Sequence, residues 1–109
     1  MTSPKHSPGP WKMNVARSPA SILDANSDCI AKVFLTDAVT KRRDQTHVAN
    51  ANLIVAAPEL LAALTELHSA ADAYRRSVSR GRATNEAINR MSATLLQAER
   101  AIAKAEGRL

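Results

Sequence analysis

Pro58 constrains this chain more than any other residue. It interrupts a mostly apolar run, Ala49 to Leu67 (ANANLIVAAPELLAALTEL). Proline has no N–H to donate and its ring clashes with the preceding turn, so one helix cannot pass smoothly through Ala57. At the first position of a new helix the same properties cost nothing. The run therefore predicts a short helix over residues 44–57, a bend, and a long helix from 58 to 79. Leu60, Leu64 and Leu67 recur at helical spacing and predict one buried stripe.

The segments on either side follow from local patterning. Residues 1–10 hold Pro4, Pro8, Gly9 and Pro10 without an apolar pattern, which predicts a flexible N-terminal arm. From Trp11 the chain alternates, with Trp11, Met13 and Val15 on one side. A second short strand is expected around Ile22 and Leu23, and a third over Cys29 to Leu35. In that third strand Cys29, Ala31, Val33 and Leu35 should share a face. Residues 11–35 thus read as a three-stranded antiparallel meander, with turns at Arg17-Ser18-Pro19 and Ala25-Asn26-Ser27-Asp28. At the other end Gly81 marks a helix stop and Thr84 an N-cap, which places a third helix over 84–106.

Leu60, Leu64, Leu67, Ala71, Tyr74 and Val78 repeat at 4-3 spacing, as do Ile88, Met91, Leu95, Ala98, Ile102 and Ala105. Two such seams joined by a glycine turn predict an antiparallel αα-hairpin, packed seam on seam. The expected fold class is α+β, one domain over 11–109. Leu61 and Leu96 lie off the seams and are expected to face the sheet or a second subunit.

Composition narrows the function classes. The chain has 109 residues and few aromatics, Trp11, Phe34 and Tyr74, so its core is thin and a homo-oligomer is expected. Cys29 is the one cysteine, which fits a reducing compartment. No apolar run reaches the roughly 20 residues a bilayer span requires. The opening MTSPKHSPGP lacks an apolar signal region, so the expectation is a cytoplasmic protein without a membrane partner. Three glycines cannot build a phosphate loop or a dinucleotide fingerprint. His6, His47 and His68 are scattered, and Cys29 has no partner at ligand spacing, so no metal, cofactor or catalytic residue is expected. A buried structural role is the stronger reading of Cys29.

Charge is the remaining signal. Residues 1–74 carry equal numbers of basic and acidic side chains. Residues 75–109 hold Arg75, Arg76, Arg80, Arg82, Arg90, Arg100, Lys104 and Arg108 against Glu86, Glu99 and Glu106, and so contribute the entire net charge of +5. Arg75, Arg76, Arg80 and Arg82 surround the hairpin turn, and guanidinium forks match phosphate oxygens. Compensation of the helix dipole is an equally good reading of the same residues. Lys41-Arg42-Arg43 precedes the first helix, whose amides form a second potential anion site, with a solvated loop an equally good reading. Asn50 and Asn52 interrupt an apolar helix and either bond a neighbouring backbone or read a ligand edge. Trp11 is the best stacking surface. With so few aromatics and no recognition motif, sequence-specific nucleic-acid binding is not expected.

The pairing of HSPGPW (His6 to Trp11) with ANANLIVAAPELLAAL (Ala49 to Leu64) resembles a group of small phage and prophage proteins. Many of these carry a PGPW start and an ANAxLIxxAPELLxAL segment. The resemblance covers residues 6–78 and implies a viral accessory protein made inside a host bacterial cell. Small phage proteins of this build often antagonise host defence. A sheet followed by helices, assembled as an oligomer, is similar to the Thoeris anti-defence sponges that sequester cyclic ADP-ribose isomers. The resemblance thus implies a small anionic nucleotide signal as partner, a cyclic nucleotide or cyclic ADP-ribose type molecule. Its alternative is a protein-binding inhibitor of a host defence complex, anti-CRISPR-like in action. For the first reading the expected contacts are Arg75, Arg76, Arg80, Arg82, Asn50, Asn52 and Trp11.

Overall fold

The chain is described from a computed structural model, which covers residues 5–16, 19–81 and 84–108. Three strands come first: β1 (Lys12–Asn14), β2 (Ala20–Leu23) and β3 (Cys29–Val33). They form an antiparallel sheet in the order β1-β2-β3, as the alternation predicts. Three helices follow: α1 (Gln45–Val55), α2 (Ala57–Ser79) and α3 (Asn85–Ala105). The fold class is α+β.

Each helix boundary has a local cause. The Asp44 carboxylate caps α1 by accepting from the N–H groups of Thr46 (2.8 Å) and His47 (3.4 Å). Ala56 separates α1 from α2, Pro58 stands in the first turn of α2, and the two helix axes are bent by 54°. Gly81 adopts φ +74°, a left-handed conformation that ends a helix at little cost for glycine. Thr84 caps α3, its hydroxyl oxygen accepting from the Ala87 N–H at 3.1 Å.

The sheet departs from simple alternation at one point. Ile22 pairs with Ala31, but Leu23 pairs with Cys29, so Ile30 is an extra residue in β3. This bulge resets the two-residue period. Cys29 therefore shares a face with Leu23 rather than with Ala31, and its thiol is free and exposed. The expectation of a buried Cys29 is corrected accordingly.

The larger correction concerns the hairpin. The residues of α2 buried under α3 are Ala63 and Ala70, and those of α3 are Thr94 and Ala101. Thr94 satisfies its hydroxyl by donating to the Met91 carbonyl at 2.9 Å. The helices thus pack through small residues spaced seven apart, which allow close approach of the backbones. The leucine seam predicted to fill the interface stays outside: Leu64 is 64% exposed, Leu95 50% and Ile102 47%.

Helical geometry shows where the displaced seams go. At about 100° per residue, Leu60, Leu64, Leu67, Ala71 and Val78 lie to one side of the Ala63–Ala70 line. Met91, Leu95, Ala98 and Ile102 lie to the same rotational side of the Thr94–Ala101 line. In antiparallel helices the same rotational side is the same face of the pair. Two cross-helix contacts mark the opposite face: Lys104 Nζ donates to Glu59 Oε1 at 2.6 Å, and Arg90 Nη2 donates to Ser69 Oγ at 2.8 Å. The hairpin therefore has one polar face tied across by side chains and one broad apolar face.

The interior is correspondingly small. Among the described residues the buried apolar side chains are Ala20, Ile22, Ala51, Ala56, Ala63, Ala70 and Ala101, and Ile22 is the largest that is fully buried. The Cα radius of gyration is 18.1 Å, against about 13 Å for a compact domain of this length. The molecule measures 61 × 28 × 17 Å. Among the described residues no single helix is long and apolar enough to cross a membrane; α1 and α2 together have the length and composition, but are bent apart.

Candidate functional site

The predicted contact residues that are described occupy four separate places. Arg75, Arg76 and Arg80 stand at the C-terminal end of α2, exposed beside the hairpin turn. Arg82 lies outside the described residues. Asp72 reaches both neighbours: Arg75 Nη2 is 2.8 Å from its Oδ1, and Arg76 Nη2 is 3.0 Å from its Oδ2. The hydrogen bond from Arg75, with the positive charges of both arginines, holds the Asp72 carboxyl below the usual carboxylate value. One acid is thus shared by two guanidinium groups, which leaves this end of the molecule basic and both forks with donors to spare.

Trp11 sits at the other end of α2. Its indole N–H donates to the Ser7 carbonyl at 3.1 Å, and His6 packs edge-on against the ring at 6.2 Å between centroids. His6, Trp11, Ala57, Pro58 and Leu61 line a cleft of about 240 Å³. The arm expected to be flexible is held here over its described part. Ala25 N–H donates to the Pro8 carbonyl at 3.0 Å, and Gly9 lies so close to Pro58 that an added Cβ would come within 2.8 Å of its ring. Trp11 makes this arm an anchored segment, which the proline-rich composition concealed. From Pro58 to Arg75 α2 rises by about 25 Å, so one chain does not bring Trp11 and the arginines together.

The two asparagines diverge as well. Asn50 lines a cleft of about 390 Å³ between β3 and α1, together with Lys32, Phe34, Thr36, His47 and Ile54. His47 Nδ1 lies 3.2 Å from the Thr36 carbonyl oxygen at its edge. Asn52 instead packs against the end of α3, its Nδ2 2.7 Å from where a Cβ on Gly107 would stand. Gly107 has φ +76°, so glycine suits both the conformation and the close approach.

The basic loop before α1 is also built for structure. Asp37 Oδ1 accepts from the N–H groups of Val39 (2.8 Å) and Thr40 (2.9 Å), and these bonds, Thr40's first, lower the Asp37 pKa. The amides at the start of α1 are already taken by Asp44. An anion held there by Lys41-Arg42-Arg43 would have to compete with that carboxylate for the Thr46 and His47 amides. Among the described residues no three His, Cys, Asp or Glu side chains gather as a metal site.

One group escaped the sequence reading. Glu59 and Lys104 form a half-buried pair across the hairpin, and Glu59 Oε2 is buried without a hydrogen-bond partner. An acid in the first turn of α2 suits the helix dipole; its reach to Lys104 depends on how the two helices align.

Comparison with known proteins gives one positive result. The model of the Salmonella phage P22 protein Y8K6 family matches residues 1–109. The chain belongs to that family. The match includes α3, which the motif resemblance did not cover, and it makes this a phage protein. No curated protein and no solved structure matches the chain.

Proposed function

We propose that this phage protein acts by stoichiometric binding rather than catalysis, sequestering an anionic nucleotide-type signal of host defence. The observation that supports this reading is the basic end of the hairpin. Arg75, Arg76 and Arg80 project there within two turns of helix, and Asp72 orders the first two. Guanidinium–phosphate bonds of about 1.5–3 kcal/mol each give tight capture of a small anion without a deep apolar pocket. Because Trp11 and Asn50 lie far from this end in one chain, any contribution from them to the same ligand requires assembled copies.

A second reading, a protein-binding inhibitor of a host defence complex, is favoured by Leu61 and Leu96, exposed large side chains that lie off the apolar face of the hairpin. The two are separated by one experiment. The purified protein is incubated with cyclic dinucleotides and cyclic ADP-ribose isomers, separated from free ligand, and heated to release what it holds. Intact ligand from wild type, and none from the Arg75→Ala/Arg76→Ala double variant, supports sequestration. Altered ligand makes the protein an enzyme. Absence of captured ligand, with wild-type capture of a host defence protein, supports the inhibitor reading.

A further inference from the structure

We infer that the apolar face of the α2–α3 hairpin is the interface with a second copy of this chain, and that two hairpins close into a four-helix bundle. The inference is independent of which ligand the basic end takes. Leu64 and Val78 from α2, with Ile88, Leu95 and Ile102 from α3, are exposed large side chains on this one face. With α3 about 30 Å long and two helices about 20 Å across, the face presents roughly 600 Å². That is as large as the largest apolar patches of ordinary monomers and approaches the roughly 800 Å² per partner of stable complexes.

The occupant follows from what the chain lacks. Among the described residues the buried apolar ones are six alanines and Ile22, too little for a domain of this size to hold itself together. Whatever covers the face must therefore be present whenever the protein folds. A second copy always is, at equal concentration. The heptad-spaced leucine and isoleucine stripes then do what such stripes do in bundles, with the partner supplying the facing layer. The polar face, tied by Lys104–Glu59 and Arg90–Ser69, stays in solvent.

The test uses the full chain with Cys29→Ser, which removes the exposed native thiol. Leu95 is the middle residue of α3 and lies on the apolar face; Gln97 is exposed on the polar face. Leu95→Cys and Gln97→Cys variants are treated with bis-maleimidoethane at micromolar concentration. The expected result is a covalent dimer as the main product for Leu95→Cys, with at least a tenfold lower yield for Gln97→Cys. In parallel, the melting temperature of the wild type should fall by a few degrees on hundredfold dilution, since dimer stability depends on concentration. Equal or greater cross-linking through Gln97 overturns the assignment of the face. A melting temperature independent of concentration overturns self-association, and a chain that then floats with anionic phosphatidylglycerol vesicles assigns the face to lipid.

Discussion

Lys104 and Glu59 meet across the hairpin, Nζ to Oε1 at 2.6 Å, although 45 positions separate them in the chain. This contact ties α3 to α2 on the polar face of the hairpin. Both side chains are about one-third exposed, so the pair sits between the surface and interior regimes. Lys104→Ala should cost about 1–2 kcal/mol, because it strands a half-buried carboxylate whose second oxygen already lacks a partner. A double-mutant cycle with Glu59→Ala, followed by urea denaturation, should give a coupling of about 0.5–1.5 kcal/mol. Additive single effects would show that the pair contributes nothing to holding α3 on α2.

The small-residue seam predicts opposite responses at adjacent positions. Ala70 is buried in the seam between α2 and α3, so Ala70→Leu should overpack it and cost about 1–3 kcal/mol. Leu64, one stripe further round, is mostly exposed within a single chain. Its replacement by Ala should cost almost nothing if the chain stays monomeric, and about 2 kcal/mol or more if a second copy covers it.

Asp72 gives a pH signature. Its carboxyl pKa is lowered from 3.8, with the Arg75 hydrogen bond as the largest cause. A depressed carboxylate stabilises the fold above its unfolded pKa, and that contribution is lost as pH falls through the lower folded value. Carboxyl carbon shifts followed by NMR should show Asp72 titrating below 3.8, and Arg75→Ala should raise its pKa more than Arg76→Ala does. Asp72→Asn releases both guanidinium groups and should tighten capture of a phosphorylated ligand several-fold, read by calorimetry. Weaker capture would place the ligand elsewhere.

Cys29 is exposed, and the bulge at Ile30 is the reason. Its thiol should react stoichiometrically with a disulfide reagent under native conditions, and Cys29→Ser should leave stability within about 0.5 kcal/mol of wild type. A thiol that reacts only after denaturation would contradict the bulged register.

These residues also show where the sequence was legible. Pro58, Asp44, Gly81 and Thr84 act through their own backbone or one neighbour, and each helix boundary they imply is present. The meander likewise follows from alternation and turn residues. The pairing of the helices was not legible, because α2 carries two heptad lines a single residue apart, Ala63–Ala70 and Leu64–Ala71–Val78. Hydrophobicity selects the leucine line, whereas close backbone approach selects the alanine line. The bulge at Ile30 has no signal in a pattern of alternating residues. Of the candidate contacts, Arg75, Arg76 and Arg80 cluster as their spacing implies, but Trp11, Asn50 and Asn52 are dispersed by the bend at Pro58 and the length of α2.

That the leucine line faces outward to meet another chain is the central claim, and mass in solution tests it most directly. Sedimentation equilibrium at micromolar concentration should return at least twice the 11.7 kDa of the chain. A helical, folded species of 11.7 kDa under the same conditions would contradict it.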